Sequence, residues 1–508
     1  MADTKREIER KYEATTTDTE GRPRLPDLLK VAGVSSVADQ GVVDLDAVYY
    51  DTGTLALAAH AITLRRRTGG DDAGWHLKLP VSPDVRDEIR APLGAAGDVP
   101  RTLAGLVRAR TRGEPLLATV RLKSSRRIRH LLDGAGELLA EVSVDAVTAE
   151  RLGGAGPRAA TWTEIEVELA DDGDPAFLDA VEKKLRKAGV LPSPAASKLA
   201  RALEETGGGP ARTADTDTAA DDGSAGAQVL AYVRQQAEAV AAYDPAVRRD
   251  LPDSVHQMRV ATRRMRSAFK TYRKVLDRGV TDPIGDELKW LAGELGVDRD
   301  QEVLAARLSA RLSALPRTLL LGPVRGRLRI WSVARRSGSR RRTLAVLDSR
   351  RYLDLLHSLD ALLADPPLLR TAAKNAAPVL REALAKDHAR LADRTEHALS
   401  LAPGGERDIA LHEARKAAKR LRYAAESAQP VLGKPANRLR KRVKEVQTVL
   451  GDHQDSVVAR TELRNLAVQA HAAGETTFVW GLLYGQEERV GAERERELEG
   501  VWGKVPGP

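Results

Sequence analysis

Near the start of the 508-residue chain, the segment EIERKYE places Glu7, Glu9 and Lys11 at alternate positions. In an extended strand alternate side chains share a face, so two carboxylates and an ammonium project together. Six later segments repeat the arrangement. Arg65 and Arg67 share a face with Thr63 in AITLRRR, His76 and Lys78 stand opposite Trp75, Leu77 and Leu79 in WHLKL, and VRDEIR aligns Arg86, Glu88 and Arg90. Further on, RLK pairs Arg121 with Lys123, LAEVSVDAV aligns Glu141, Ser143 and Asp145, and TEIEVEL aligns Glu164, Glu166 and Glu168. A half-buried sheet with its charges in water accounts for any one of these strands. It does not account for the set, because glutamates in a row repel one another and a solvated face has no need of them. Carboxylates so crowded suit a divalent cation, and the arginines and lysines near them suit an anion.

Positioning these groups requires strands that turn their charged faces toward one another. Closing the sheet into a barrel does so, since the charged faces then line a lumen and no edge is left unpaired. The outer apolar faces then need cover, for which DLLKVAG (27–33) and FLDAVEKKLRKAG (177–189) are candidate helices. After residue 205 the character changes. Residues 206–227 are small, polar and acidic and read as a flexible linker. From 228 to about 503 the sequence is rich in Ala, Leu and Arg with helical periodicity, which predicts an all-helical domain.

The chain is too long for one core, consistent with domains at 1–205 and 228–503. Its net charge of +9 is unevenly spread: 50 Lys and Arg face 35 Asp and Glu from residue 229 onward, against 31 and 37 before it. The helical half therefore carries +15 and the strand-rich half −6, which places polyanion binding in the former. There is no cysteine, which excludes disulfides, thiolate metal sites and cysteine nucleophiles and fits a reducing compartment. The charged start does not read as a signal peptide, and no segment approaches the ~20 apolar residues of a membrane span. DNA, RNA, acidic lipid and polyphosphate all remain open as the polyanion, and the expectation is a soluble cytoplasmic protein with no membrane span.

The N-terminal residues resemble the CYTH superfamily, the triphosphate tunnel metalloenzymes, which include class IV adenylate cyclases, thiamine triphosphatases and inorganic triphosphatases. The opening Glu-x-Glu-x-Lys is met by Glu7, Glu9 and Lys11. In the family's order follow Tyr49-Tyr50-Asp51-Thr52, Leu64-Arg65-Arg66-Arg67, Trp75-His76-Leu77-Lys78 and Arg86-x-Glu88. A basic strand reaching Arg126, then Asp145, Glu164-Ile165-Glu166 and Ser197-Lys198, completes the match over about residues 5–205. The resemblance implies an α+β multidomain protein that begins with an eight-stranded antiparallel tunnel with flanking helices. It implies phosphate contacts from Arg65, Arg67, Lys78, Arg86, Arg126 and Lys198, a role that suits guanidinium and ammonium groups. Glu7, Glu9, Glu164 and Glu166 become the ligands of Mg2+ or Mn2+, with Asp145 and Glu168 in support, as hard oxygen donors suit these ions. In hydrolytic relatives the opening lysine and a tyrosine help to activate water, which points to Lys11 and Tyr49; Lys11 can be a base only if its pKa is lowered, and is otherwise a phosphate clamp.

The helical half contains a repeat. VHQMRVATRRMRSAF aligns without gaps to LHEARKAAKRLRYAA, so His256, Arg259, Arg263 and Arg266 match His412, Arg415, Lys419 and Arg422 along one helical stripe, and Arg264 matches Arg420. LGVDRDQEV (295–303) matches LGDHQDSVV (450–458), pairing Asp300 with Asp455, and these read as turns or caps. Like charges this close are tolerated more readily around an anion. The repeat resembles the CHAD domain, which implies two related helical bundles, about 228–365 and 366–503, around a basic groove for inorganic polyphosphate. Carried over, His256, Arg259, Arg263, Arg266, His412, Arg415, Lys419, Arg420 and Arg422 become polyphosphate contacts, with Arg335-Arg336, Arg340 to Arg342 and the run from Arg438 to Lys444 as further candidates. The leading reading is a metal-dependent triphosphatase acting on inorganic triphosphate and recruited to polyphosphate by its helical domain. A class IV-type adenylate cyclase and a non-catalytic polyphosphate scaffold are the alternatives. Aromatic residues form only 4% of the chain, which argues against nucleic acid held by base stacking.

Overall fold

The computed structural model describes residues 3–14, 23–94, 97–153, 159–208, 223–336 and 339–507. The chain divides into two compact units, Met1–Thr216 and Asp217–Pro508. Most of the segment expected as a linker, 209–222, lies outside the described residues.

The first unit is built from β1 (Asp3–Ala14), β2 (Ser36–Asp51), β3 (Thr63–Thr68), β4 (Gly74–Ser82), β5 (Val85–Ala91), β6 (Leu117–Leu132), β7 (Leu138–Arg151) and β8 (Ala159–Leu169). They run antiparallel in the order β5-β4-β3-β2-β6-β7-β8-β1, and β1 pairs back with β5 to close the barrel. A short β9 (Val190–Pro192) extends the far end of β1. The alternation predicted from sequence is present: Glu7, Glu9 and Glu88 are buried inside, while Tyr12, Trp75, Leu77 and Ile165 join clusters on the outer faces.

Two helices cover the outside. Leu103 and Val107 of α1 (Arg101–Thr111) pack on Leu64, Trp75, Leu77 and Ile89. Leu178, Val181 and Leu185 of α2 (Ala176–Lys187) pack on Tyr12, Val142, Ile165 and Val167. The other expected helix, 27–33, is only a 3-10 turn at Leu28–Lys30, although Leu28 and Val31 still join the α2 cluster. A third helix does something different. Leu199, Ala202 and Leu203 of α3 (Lys198–Glu205) pack against Ala47, Val120, Leu122, Val147, Ala149 and Trp162. On their strands these residues share parity with Tyr49, Arg126, Asp145 and Glu164, so they lie on the lumen face. One end of the lumen is therefore apolar and stoppered by α3. Arg121 and Lys123 have the opposite parity and point outward, where Arg121 Nε bonds Asp46 at 2.9 Å; they do not belong to the lumen.

The second unit is helical: α4 (Ala225–Arg248), α5 (Ser254–Thr271), α6 (Arg278–Glu294), α7 (Gly296–Ser313), α8 (Val324–Arg336), α9 (Ser339–Asp348), α10 (Arg350–Ala364), α11 (Ala376–Ser400), α12 (Gly405–Leu432), α13 (Lys434–Ala472) and α14 (Phe478–Trp502). Its two halves start side by side. Ala225 donates its N–H to the Lys374 carbonyl and Ala376 to the Gly223 carbonyl, both at 2.8 Å, beside caps from Ser224 and Asn375. The histidine helices of the repeat are α5 and α12. The Leu-Gly segments behave differently in the two copies. Leu295 separates α6 from α7, as expected of a turn, whereas Leu450-Gly451 lies inside the continuous α13. The first copy has glycines at both 293 and 296, and glycine weakens a helix by about 1 kcal/mol each; the second has one. The side chains of Asp300, Arg335 and Arg336 lie outside the described residues. No described helix is long and apolar enough to cross a membrane.

Candidate functional site

The lumen holds a cavity of about 300 Å3 bordered by Glu7, Glu9, Lys11, Tyr49, Arg65, Arg67, Lys78, Arg86, Arg126, Glu166, Glu168 and Lys198. Strand order sorts most of these charges, apart from Lys5 and Lys11 on β1 and the mixed face of Arg86, Glu88 and Arg90 on β5. Neighbouring β1, β8 and β7 bring Glu7, Glu9, Glu166, Glu168 and Glu141 to one side, while β4, β3 and β6 bring Lys78, Arg65, Arg67 and Arg126 to the other. Cross-strand register fixes the pairs, with Glu9 opposite Glu168, Lys11 opposite Glu166, and Arg126 opposite Asp145.

Each carboxylate has a cation. Lys78 Nζ lies 2.5 Å from Glu7, and Lys11 Nζ bonds Glu9 at 3.1 Å and also Glu166. Arg126 forks onto Asp145 at 2.7 and 2.8 Å and reaches Glu166 at 2.7 Å. Lys198, the first residue of α3 behind the Ser197 cap, meets Asp145 at 3.0 Å, Glu164 at 3.1 Å and Glu166 at 2.5 Å. Asp145 and Glu164 do not border the cavity. They are fully buried behind its wall and hold Lys198 and Arg126 in place, with Glu164 also accepting the Trp162 indole N–H at 3.1 Å. Lys11 and Tyr49, expected to act together, have separate partners: Tyr49 OH accepts from Arg65 at 3.4 Å, and no hydrogen bond joins it to Lys11. Arg86 donates to the Ala196 carbonyl just before α3.

These surroundings set the protonation states. Burial, with repulsion from Glu88, Glu168 and Glu9, pushes Glu7 up to about 7 against the pull of Lys78. Burial also opposes the charge on Glu9, but Lys11 and Lys78 overcome it and hold the carboxyl at about 2. Lys11 is buried too, yet Glu166 and Glu9 keep it above the usual ammonium value, so it is a cation at neutral pH. Arg67 is pulled down to about 9 by burial and by Arg65 and Arg126. The donor set suits a hard divalent cation. Glu7 Oε2 and Glu164 Oε1 are buried and accept no hydrogen bond, their neighbours being only the lysine ammonium groups. Among the residues not assigned from sequence, Lys5, Glu88, Arg90, Glu141 and Asp72 also border the cavity. The first four continue the period-two faces and were legible as such; Asp72 sits in a hairpin loop with no periodic signal.

In the helical unit a cleft of about 280 Å3 runs between α5, α11 and α12. It gathers Arg263, Arg266, Lys419 and Arg420 with Lys270, Arg390, Arg394 and Lys416, against a single acid, Glu413. Burial and the surrounding cations, Arg263 near Arg266 and Arg266 and Arg420 near Lys270, depress Arg266 and Lys270 below their usual values. Arg420 is also an anchor, bonded to Asp387 at 2.8 Å and to the Lys270 carbonyl at 2.6 Å. The remaining stripe residues lie outside this cleft. His256 is half-buried, His412 Nδ1 contacts Gln454 at 2.6 Å, and Arg422 lies over the Tyr423 ring at 4.4 Å. Arg259 and Arg415 each lie against the glycine of a Leu-Gly segment: a Cβ at Gly296 would fall 2.6 Å from Arg259 Nη2, and one at Gly451 3.9 Å from Arg415.

Family comparisons agree with this division. The CYTH domain matches residues 5–203 and the CHAD domain residues 231–464. The uncharacterized protein Rv2226 of Mycobacterium tuberculosis is 40% identical, the alignment covering 98% of this chain and 96% of that one. Among solved structures, PptA from Streptomyces chartreusis is similar at 21% identity and TM-score 0.47, over 55% of this chain and all of that one. The CHAD domain from the plant Ricinus communis is 26% identical at TM-score 0.43, over 56% of this chain and 93% of that one.

Proposed function

Since the chain belongs to the CYTH family of triphosphate tunnel metalloenzymes, with a CHAD domain behind the tunnel, we propose that it is a metal-dependent triphosphatase acting on inorganic triphosphate. The observation that carries this reading is one closed lumen in which the carboxylates Glu7, Glu9, Glu166 and Glu168 stand among the cations Lys11, Lys78, Arg65, Arg67 and Arg126. CYTH domains work with divalent cations, and here Glu7, Glu9, Glu166 and Glu168 would hold Mg2+ or Mn2+, with Asp145 and Glu164 behind them. When bound, the ion neutralises phosphate oxygens and stabilises the charge that shifts during phosphoryl transfer. Arg65, Arg67, Lys78 and Arg126 bind the chain along the opposite wall, and Lys198 completes that set from the stopper. Lys11, kept charged by Glu166 and Glu9, acts as a phosphate clamp; nothing around it lowers its pKa enough to make it a base. Water is the acceptor, and the apolar plug under α3 limits solvent to the polar part of the lumen.

The basic cleft of the helical unit supports polyphosphate binding, since eight cations border it against one carboxylate, Glu413. Tethering a long polymer there would raise the effective concentration of phosphate chains near the tunnel. Phosphate release from tripolyphosphate, long polyphosphate, ATP and thiamine triphosphate, each with Mg2+ and Mn2+, tests the reading, together with cyclic AMP measured from ATP. The expected result is fastest release from tripolyphosphate and no cyclic AMP. Cyclic AMP as the main product would assign a cyclase instead.

A further inference from the structure

The loop between β3 and β4 enters the lumen. Gly70, Asp71 and Asp72 border the cavity, and the loop's path is fixed from both sides. At Gly69 and Gly70 the backbone is left-handed, at φ +82° and +71°, and a Cβ at Gly69 would fall 2.2 Å from the Asp44 carbonyl oxygen, so this approach is open only to glycine. From the other side His76 Nε2 lies 2.9 Å from the Asp72 carbonyl, while its Nδ1 lies 2.8 Å from Glu88. His76 is buried, so the loop is pinned at a point that cannot easily drift.

What this places in the lumen is a carboxylate. Asp72 pairs with Arg67 and lies 4.0 Å from Arg90. Arg67 is buried among like charges, and among the described residues Asp72 is the only carboxylate within ion-pairing distance of it. The Arg67 Nε is buried without a hydrogen-bond partner, so Asp72 is the group that answers this guanidinium. A phosphate chain lying along Arg65 and Arg67 would therefore share Arg67 with a fixed negative group. The next phosphate in line would meet Asp72 itself.

We propose that Asp72 sets the length of phosphate chain that the tunnel accepts, its carboxylate standing between Arg67 and Arg90 as a fixed negative group in the tract. A chain that ends at Arg67 is bound, and a longer one must bring like charge against Asp72 or displace it from Arg67 and strip that cation of its partner. Discrimination by a built-in repulsive group is an economical route to specificity, because it penalises the wrong ligand without strengthening the right one. The inference rests on the tunnel binding phosphate chains and concerns which of them it prefers.

The test uses the full chain and its Asp72→Asn variant, which keeps the size of the side chain and one acceptor oxygen and removes the charge. Competition binding of tripolyphosphate and tetrapolyphosphate is measured without metal, and phosphate release from both with Mg2+. Asp72→Asn is expected to raise the tetrapolyphosphate-to-tripolyphosphate ratio, in affinity and in kcat/KM, on the order of tenfold, while Asp72→Glu keeps the wild-type ratio. A purely structural role would lower both substrates together and leave the ratio unchanged, and that result overturns the proposal. Absence of phosphate release with a shifted binding ratio would retain the length filter and reject the hydrolase reading. Absence of any phosphate binding in the wild-type tunnel would reject both.

Discussion

Replacing Lys198 with Met removes the ammonium that lies 3.0, 3.1 and 2.5 Å from Asp145, Glu164 and Glu166 while keeping most of its apolar stem. Asp145 and Glu164 are completely enclosed and Glu166 nearly so. Arg126 still answers Asp145 and Glu166, but Glu164 is left with the Trp162 N–H alone. Removing one partner of a buried pair costs about 3–5 kcal/mol, and the surviving Arg126 contacts place the expectation near the lower figure, about 3 kcal/mol. In a unit of about 200 residues each kcal/mol moves Tm by about 2–4 °C, so the first unit should melt roughly 6–12 °C lower. The folded pKa of Lys198 is raised by Asp145, Glu166 and Glu164 despite its burial, so its contribution is present below the unfolded value, about 10.4, and is lost above it. In the variant the uncovered carboxylates take up protons more readily, so acid relieves it. The stability gap should be widest at about pH 7–9 and narrow as the pH falls toward about 4. Differential scanning calorimetry of the full chain in EDTA across that range measures it. A gap below about 1 kcal/mol, or one that does not change with pH, would refute the account of the lumen as a set of mutually neutralising buried charges.

The helical unit yields three further expectations. Gly451 lies inside α13 and a Cβ there meets nothing closer than 3.9 Å, so Gly451→Ala should raise stability by about 1 kcal/mol; Gly296→Ala should not, because its Cβ strikes Arg259, and equal shifts in chemical denaturation would contradict this. Asp244 is raised to about 6 by burial, despite Arg248, so its contribution is fullest below the unfolded value of about 3.9 and is lost as the pH rises through 6. Asp244→Asn should therefore gain on the wild type by about 3 kcal/mol between about pH 4 and 8, and a constant difference would be the contrary result. Arg266→Ala with Lys270→Ala should weaken polyphosphate binding roughly tenfold at low salt and flatten its salt dependence, whereas Arg420→Met should cost about 2–3 kcal/mol of stability by uncovering Asp387; titration calorimetry and melting curves separate the two effects.

Much of the tunnel was legible because a strand's period of two is a rigid constraint. Once Glu7 was placed inside, Glu9 and Lys11 followed, and the same parity carries Lys5 and, on β5, Glu88 and Arg90. Applied within β6, it also separates Arg121 and Lys123 from Arg126, a distinction that charge alone hides. The apolar end of the lumen was not legible. Val120, Leu122 and Trp162 look like any core residues, and only the pairing of strands distant in sequence shows that they face inward under α3. Asp145 and Glu164 were recognised as site residues, but their place behind the wall depends on how Lys198 reaches in from a helix. In the helical unit the stripe of the repeat located α5 and α12. It could not show that Arg420 anchors to Asp387 on α11, or that Arg390 and Arg394 complete the cleft, because contacts between helices leave no mark in the periodicity of either. The break at Leu295 and its absence at Leu450 likewise depend on local glycine content rather than on the shared motif.

The most direct test of the central claim is phosphate release from tripolyphosphate, with and without Mg2+ or Mn2+, by the wild type and by the Glu7→Gln, Glu9→Gln double variant. The account predicts metal-dependent release by the wild type and a loss of at least about a hundredfold in the variant, since two of the proposed carboxylate ligands are gone. Undiminished turnover by a folded variant would contradict it.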